Sequence, residues 1–452
     1  YLFETNLRYD GSSRFARKSR WGLFPSVSAG WRITEESWWS ERTKRWFSNL
    51  KLKASYGVVG DESTSGYSAF DYLEGYNYNS GGAVLDGEWI LGSQYRGLPV
   101  TDLSWQKVKM FNVGLEYGFF ENRLTGELNY FTRTLEGIPA SPGITLPNES
   151  GFTLPNVNMA SQKIRGIDGS LKWSDSVKDF NYSVEGNFTF SRKYEWKREP
   201  WILSNSWQEY SSYYSKRYAN QWWGFDCIGQ FQNWEQIAEY PVDIDGKGNT
   251  TIRPGDLIYK DQNGDGVIND MDKRPLGYRQ GDVPYMSFNF NIAMSWKGFD
   301  LAMLFTGASM ASFYMDYEMK NPLHDGGNSP AFMLDDAWHL ADIDDPNSQY
   351  LPGKYPMVID GNGSHVNYQK ASNFWLRNVR YLKLRNFELG YSLPKRITRK
   401  AGIENVRIFT SMQNLFSIDN LGEVDMDPEI ATGSGQQYPT TRVISFGLNL
   451  TF

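Results

Sequence analysis

The chain has 452 residues, a formal net charge of −6, 16% aromatic residues and a mean hydropathy of −0.55. Because so many aromatic residues occur in a chain that is polar on average, the composition favours half-exposed β-strands over a set of packed helical domains. The single cysteine, Cys227, excludes an intramolecular disulfide and a cysteine-based metal or redox pair. The histidines, His324, His339 and His365, are too few and too scattered for a histidine metal site.

Apolar and polar residues alternate in about twelve segments, which predicts strands with one apolar and one polar face. In chain order these segments are 1–10, 22–33, 49–58, 111–119, 122–136, 162–175, 180–190, 286–296, 299–311, 379–393, 404–416 and 444–452. In the last of them, the apolar face carries Ile444, Phe446, Leu448, Leu450 and Phe452. A tilted strand of roughly 10 residues is long enough to cross a bilayer.

The links between these segments fall into two length classes. The short links are 119–122, 174–179, 297–298 and 394–404, together with 34–48, which predicts a single short amphipathic helix. The long links are 59–105, 137–161, 194–285, 312–375 and 417–440. Short turns on one side and long loops on the other are typical of outer-membrane barrels, whereas a soluble sandwich has no reason to separate its loops in this way.

Aromatic residues and charges follow the same division. Aromatic residues stand at the short-turn ends, where an interfacial girdle is expected: Phe119, Trp173, Trp296, Tyr391 and Phe452. The long links 59–105, 194–285, 312–375 and 417–440 carry net charges of −6, −4, −6 and −5, which argues against binding of nucleic acid. We therefore predict an all-β chain that forms a transmembrane antiparallel β-barrel of about twelve strands with long extracellular loops.

The chain opens on Tyr1 inside strand-like sequence, without an initiating Met or a signal peptide. We therefore expect a fragment, or a processed C-terminal portion, of a longer polypeptide. Twelve strands could close by themselves, but a chain that starts in mid-strand favours a larger barrel.

Longer motifs follow one another along nearly the whole sequence. They are "LFPSVSAGWRITEESWW" (23–39), "NLKLKASYGVVGD" (49–61), "SWQKVKMFNVGLEYGFFENRLTGELNYF" (104–131), "GDLIYKDQNGDGVINDMDKRPLG" (255–277), "WKGFDLAMLFTGA" (296–308), "WLRNVRYLKLRNFELGYSLPKRI" (375–397), "IFTSMQNLFSI" (408–418), "DPE" (427–429) and "YPTTRVISFGLNLTF" (438–452). In this order they resemble the SusC/RagA-type TonB-dependent outer-membrane transporters.

The resemblance implies the C-terminal portion of a barrel of about 22 strands, with the plug domain and the TonB-binding segment outside this chain. It implies the outer membrane of a Gram-negative bacterium as the location, TonB as the energy source and glycans or peptides as cargo. It also implies a SusD-like surface lipoprotein that acts as a lid over the long loops. The terminal "FGLNLTF", with Phe446, Leu448, Leu450 and Phe452, resembles the signal that the barrel-assembly machinery reads.

The segment "DQNGDGVINDMD" (261–272), inside the long link 194–285, matches the calcium-loop template except that Asp replaces its final Glu. Calcium takes six to eight oxygen ligands, and the spacing supplies them from Asp261, Asn263, Asp265, the Val267 carbonyl, Asn269 and Asp272. We expect a structural Ca²⁺ that shapes part of the long link. The alternative is a metal-free surface turn, because Asn, Gly and Asp favour turns on their own.

Aromatic residues are dense in the same long link, and Trp201, Trp207, Trp222 and Trp223 are candidates for contacts with sugar rings or peptide side chains. The alternative is that they pack the link itself or a partner's loops. No phosphate loop, nucleophile motif or positioned histidine is found, so the sequence predicts no enzyme.

Two functions besides energised import are also consistent with the sequence. One is a passive porin or surface adhesin, and the other is a soluble β-rich glycan-binding protein or glycan hydrolase. The plug and the TonB-binding segment would distinguish an importer from the first, and dependence on detergent would distinguish it from the second.

Overall fold

The computed structural model describes residues 1–62, 70–144, 146–147, 149, 154–197, 205–212, 216–280, 283–359, 364–429 and 433–452. The strands are β1 (Leu2–Gly11), β2 (Trp21–Arg32), β3 (Phe47–Asp61), β4 (Tyr76–Leu85), β5 (Glu88–Tyr95), β6 (Gln106–Phe119), β7 (Leu124–Ala140), β8 (Val157–Val177), β9 (Phe180–Lys197), β10 (Arg217–Tyr218), β11 (Gln221–Gly224), β12 (Cys227–Gln230), β13 (Leu257–Tyr259), β14 (Arg274–Gln280), β15 (Met286–Trp296), β16 (Phe299–Tyr314), β17 (His339–Leu340), β18 (Tyr350–Leu351), β19 (Leu376–Ser392), β20 (Asn405–Asp419) and β21 (Val443–Thr451). The helices are α1 (Glu41–Lys44), α2 (Ser206–Ser212), α3 (Trp234–Glu239), α4 (Ala331–Asp335), α5 (Val366–Gln369) and α6 (Lys395–Thr398). Within the described part of the chain, no helix is long and apolar enough to cross a bilayer.

The long strands follow one another in a sheet of order β1-β2-β3-β6-β7-β8-β9-β15-β16-β19-β20-β21. Consecutive strands pair antiparallel, as in β6–β7, β15–β16 and β20–β21. This order confirms the all-β class and the strand segments that the alternation predicted. The small strands β10, β11 and β14 attach beside this path.

The shortest predicted link, "KG", is a two-residue hairpin turn between β15 and β16. Lys297 and Gly298 both have positive φ, 46° and 93°. Two positive values in succession match the right-handed twist of the flanking strands, and glycine tolerates the second without strain.

The prediction for segment 34–48 is wrong, because it holds a 3₁₀ turn at Ile33–Glu35 and the separate helix α1 instead of one helix. The Ser40 side chain accepts a hydrogen bond from the Thr43 N–H and thereby caps the N-terminus of α1, so α1 begins as a separate helix.

The chain divides into two compact units, and the first comprises Tyr1–Trp173 and Thr189–Ala219. The strands of this unit have one charged face and one apolar face, as the alternation predicts. On one face, Lys53 forms ion pairs with Glu116 at 3.0 Å and with Glu127 at 2.8 Å. On the other face, the large apolar side chains are exposed, among them Leu128, Tyr130, Ile167 and Leu171. Large apolar side chains left open in this number need a non-aqueous neighbour.

The second unit comprises Ser174–Phe188 and Asn220–Phe452, and it holds the larger hydrophobic core. This core is built mainly from three of the long links and not from the long strands. Its fully buried members include Phe231, Ile244, Tyr259, Met315, Met333, Tyr355, Trp375 and Leu421. Within this unit, residues of the links 194–285, 312–375 and 417–440, which the sequence presents as acidic loops, therefore pack around one apolar interior.

Aromatic residues cluster at the short-turn ends within each unit. In the first unit, the rings of Phe47 and Phe119 lie 4.8 Å apart, and those of Phe120 and Trp173 lie 6.1 Å apart. In the second unit, Phe299 and Tyr391 approach to 4.4 Å. These pairs match the girdle that the sequence predicts at this end of the strands.

Candidate functional site

The predicted calcium loop, residues 261–272, forms a closed net of side-chain to backbone hydrogen bonds. Asp261 accepts the N–H groups of Gly264 at 2.7 Å and Gly266 at 2.8 Å. Asp265 accepts the Val267 N–H at 3.0 Å and the side-chain amide of Asn263 at 2.9 Å. Gly264 and Gly266 have φ of 76° and 81°, which explains why glycine stands at both turns.

The far end of this loop is anchored in the core. Asp272 is fully buried, and its two oxygens accept the N–H groups of Gln262 and Asn269, both at 2.8 Å. Asn269 in turn accepts the Met271 N–H, so the two side chains cap the short 3₁₀ turn reciprocally. Lys370 donates to the Ile268 carbonyl at 3.0 Å and ties the loop to another link.

Two carboxylates of the loop are held ionised. The N–H of Gly266 is the main cause that lowers the pKa of Asp261. The side-chain amide of Asn263 is the main cause that lowers the pKa of Asp265. Hydrogen-bond donors favour the charged form, so both groups carry full negative charge at neutral pH.

The donor set fits calcium in chemistry, because it offers carboxylate, amide and carbonyl oxygens within twelve residues. The amide nitrogens of Asn263 and Asn269 both point to one oxygen of Asp265, at 2.9 and 3.2 Å. Among the described residues, no three His, Cys, Asp or Glu side chains are arranged as a metal site. A bound ion would therefore depend on amide and carbonyl oxygens as well as on carboxylates.

Asn367 clamps two long links together beside this loop. Its side chain accepts the Leu257 N–H at 2.9 Å and donates to Asp256 at 2.6 Å, and its carbonyl accepts the indole N–H of Trp375 at 2.8 Å. Asn367, Asp256 and Trp375 are all fully buried. Burial is the main cause that raises the pKa of Asp256. His365 also lies against this carboxylate, with Nε2 3.4 Å from the nearer oxygen.

Sequence reasoning missed this network and the core around it. The signal that could have found it is the apolar spacing inside the acidic links, as in "GDLIYK", which places Leu257, Ile258 and Tyr259 in a row. Cys227 also lies here, in the small strand β12, and burial raises the pKa of its thiol to about 11. Such a thiol is not reactive near neutral pH.

The structure describes three of the four candidate tryptophans. Trp207 lies on α2 in the first unit, where its ring contacts Tyr210 at 5.4 Å. Trp222 and Trp223 lie on β11 in the second unit, and Trp222 donates to the Ser312 carbonyl and packs on Tyr314. Trp201 lies outside the described residues. The contacts of Trp222 are those of a residue that packs its own link.

The terminal strand β21 presents its apolar face to the outside. Phe446 and Phe452 are 83% and 84% exposed, and Leu448 and Leu450 on the same face are also exposed. The strand pairs with β20 in a register that places Thr410 opposite Phe446 and Val406 opposite Leu450. The Thr410 hydroxyl also donates a hydrogen bond to the Ser445 carbonyl at 3.2 Å.

An antiparallel sheet with one charged face and one exposed apolar face is the arrangement found in the transmembrane β-barrel class of protein. The family model described as "TonB dependent receptor-like, beta-barrel" matches residues 1–415. The chain belongs to this family of TonB-dependent receptor-like β-barrels.

Individual relatives agree with the family. The chain is 27% identical over 459 residues to the TonB-dependent receptor SusC of Bacteroides thetaiotaomicron, covering 100% of this chain and 42% of that protein. It is 24% identical over 472 residues to the TonB-dependent receptor P3 of Formosa agariphila, covering 100% and 44%. The chain thus spans less than half the length of the curated relatives it matches.

Solved structures give the same fold. The RagAB peptide importer superposes with TM-scores of 0.71 in its closed-closed state and 0.72 in its open-open state, at 23% identity. Each match covers 100% of this chain, and 46% and 45% of the respective RagAB chains. At this identity the likeness establishes the fold.

Proposed function

We propose that this chain is the barrel portion of an energy-coupled importer in the outer membrane of a Gram-negative bacterium. The observation that carries the proposal is the separation of faces in the first unit. Ion pairs such as Lys53–Glu127 occupy one face of strands whose other face exposes Leu128 and Ile167. A wet lumen and a lipid exterior require this arrangement.

The cargo is a glycan or a peptide, and TonB supplies the energy through a part of the polypeptide outside this chain. The support is the similarity to proteins named TonB-dependent receptor SusC and RagAB peptide importer. A SusD-like surface lipoprotein acts as a lid over the folded long links. Their joint core supports this role, because a lid needs a preformed surface to close upon.

The test uses the whole natural polypeptide in its own host. Deleting its gene should abolish uptake of one class of labelled oligosaccharide or oligopeptide, and so should disabling TonB. The barrel should also copurify with a surface lipoprotein in detergent. Uptake that persists without TonB would instead support a passive porin, and a protein that remains monodisperse without detergent would exclude a membrane barrel.

We further propose that the 261–272 loop binds one structural Ca²⁺ through Asp261, Asn263, Asp265, the Val267 carbonyl, Asn269 and Asp272. The ionised state of Asp261 and Asp265 supports a cation at this loop. When bound, the ion would hold the long link in shape next to the lid.

A further inference from the structure

A basic and aromatic patch lies at one end of the exposed apolar face of the first unit. We call it the outer patch, and it consists of Lys163, Arg165, Arg192, Tyr194, Trp196 and Tyr218. The Lys163 ammonium lies 4.7 Å from the centre of the Trp196 ring, and the Arg165 guanidinium lies 5.5 Å from the Tyr194 ring. The Arg192 guanidinium stacks on Tyr218, 3.1 Å from the ring centre. Each cation is thus held over an aromatic face.

The register of β8 places this patch on the outward face. Arg165 pairs with Thr132, and Ile167 pairs with Tyr130, without a register shift between them. Because side chains repeat every two residues along a strand, Arg165 points to the same side as Ile167. Ile167 belongs to the exposed apolar stripe, so the outer patch continues that stripe.

The patch lies toward the long-link end of the strands. The segment 178–179 forms the short turn that follows β8, whereas Lys163 lies near the start of β8, after the long link 141–156. In the proposed orientation this end faces the outer leaflet of the membrane. The inference therefore rests on the proposed membrane location.

Two cations of the patch, Lys163 and Arg165, lie on β8. Among the described residues, no carboxylate forms an ion pair with Lys163 or Arg165, and Nε of Arg165 is enclosed without an acceptor. The carboxylate of Glu136 lies opposite Ser161 in the β7–β8 register, but it is paired with Lys109 at 2.6 Å. The side chain of Glu195 accepts from Gln162, on the opposite face of β8.

We propose that the outer patch binds the phosphate of an anionic lipid headgroup in the outer leaflet. Arg and Lys are the side chains that match phosphate oxygens, and Trp and Tyr are favoured at the depth of lipid headgroups. The apolar stripe next to the patch would lie against the acyl chains of the same lipid. An occupant bound here must be both apolar and anionic, which a phosphorylated lipid satisfies.

The test uses the full natural polypeptide in nanodiscs of phosphatidylcholine with a small fraction of lipid A, which carries phosphate groups. After release into mild detergent, native mass spectrometry counts the lipid A molecules that stay bound. The variant combines Lys163→Gln, Arg165→Gln and Arg192→Gln. The matched control is Lys193→Gln, which removes a cation from the opposite face of β9.

We expect the wild type and the control to retain lipid A, and the triple variant to retain at least about tenfold less, since it loses several charge-assisted hydrogen bonds. The variant with Arg165→Lys and Arg192→Lys, which keeps the charge, should retain an intermediate amount. Dephosphorylated lipid A should not be retained by any form.

Equal retention by the wild type and the triple variant would overturn the proposal, and so would equal retention of the dephosphorylated lipid. Retention of a second copy of the chain or of a lipoprotein, in place of lipid A, would also overturn it. If the wild type does not enter nanodiscs at all, both the proposed membrane function and the proposed lipid site are contradicted. If it enters nanodiscs but shows no preference for phosphate, only the lipid site is contradicted.

Discussion

Lys383 donates from Nζ to both carboxylate oxygens of Asp427, at 3.0 and 3.2 Å, although the two residues are 44 positions apart. The Lys383 and Asp427 side chains are only 4% and 8% exposed, and Glu429 accepts from the same ammonium at 3.0 Å. The "DPE" motif (427–429) is thus bound by ion pairs to the middle of β19. This contact fixes the path of the link between β20 and β21.

Replacing Lys383 with Met should loosen this link. It leaves the buried carboxylate of Asp427 without the ammonium that pairs with it, which costs about 3–5 kcal/mol for a buried pair. Glu429 keeps its ion pair with Arg385 in this variant. Hydrogen exchange in detergent should show faster exchange at 421–429. Arg380→Met, which removes an exposed cation from the same strand, is the control and should leave exchange unchanged. Equal protection in both variants would contradict the assignment.

The same link should weaken in acid. Burial raises the pKa of Asp427, but hydrogen bonds from Thr440, the Glu429 N–H and Lys383 outweigh it and lower the pKa from 3.8 to about 2. A depressed pKa gives stability above the unfolded value, and that stability is lost as the pH falls toward 2. The apparent melting temperature should therefore drop between about pH 4 and pH 2. In Asp427→Asn the drop in melting temperature should be smaller. An identical drop in the variant and the wild type would contradict this role of Asp427.

Trp375 should be indispensable for the core of the long links. It is fully buried, and its ring contacts Phe374 at 4.8 Å and Tyr368 at 6.0 Å. Truncation of a buried Trp to Ala costs about 3–5 kcal/mol. In Trp375→Ala, limited proteolysis should cut the long links while the sheet stays intact.

The control for that experiment is Trp234→Ala, a tryptophan of the same links that is 54% exposed. It should change protease resistance little, because exposed side chains contribute about 0.5 kcal/mol or less. If the two variants are cut at the same rate, the links do not depend on the core around Trp375.

Calcium uptake should depend on the charges of Asp261 and Asp265. Calorimetry on Asp261→Ala with Asp265→Ala should show no binding, and Asp261→Asn with Asp265→Asn should also bind far less, although it keeps acceptors for the backbone N–H groups. Asp270→Ala is the control, because its side chain is 84% exposed and is not in the ligand set. Unchanged uptake in the double variants would leave the loop as a metal-free turn.

Phe452 should matter for assembly and not for stability. Its side chain is 84% exposed, so its removal costs little packing. Phe452→Ala should reduce the amount of folded protein in the outer membrane while the melting temperature of purified protein stays the same. Ile408→Ala, an exposed residue opposite Leu448 on β20, is the control. A normal yield would remove the assembly role of the terminus.

The sequence by itself determined the strands, the two classes of links and the family. Alternation with period two is local, so residues such as Phe446 and Leu448 reveal their face without any knowledge of their neighbours. The "KG" turn is equally local, because two-residue hairpin loops favour positive φ, which glycine adopts without strain. The calcium loop is a local pattern as well, and its spacing predicts the turns that the structure contains.

Only the tertiary structure decided what the long links do. Asp256 and Asn367 are 111 positions apart in the sequence, and nothing in either local pattern predicts that the two side chains are buried against each other. The Lys383–Asp427 pair and the outer patch likewise join residues from separate strands and links. Burial and charge pairing depend on which segments meet in space, and single-sequence periodicity does not carry that information.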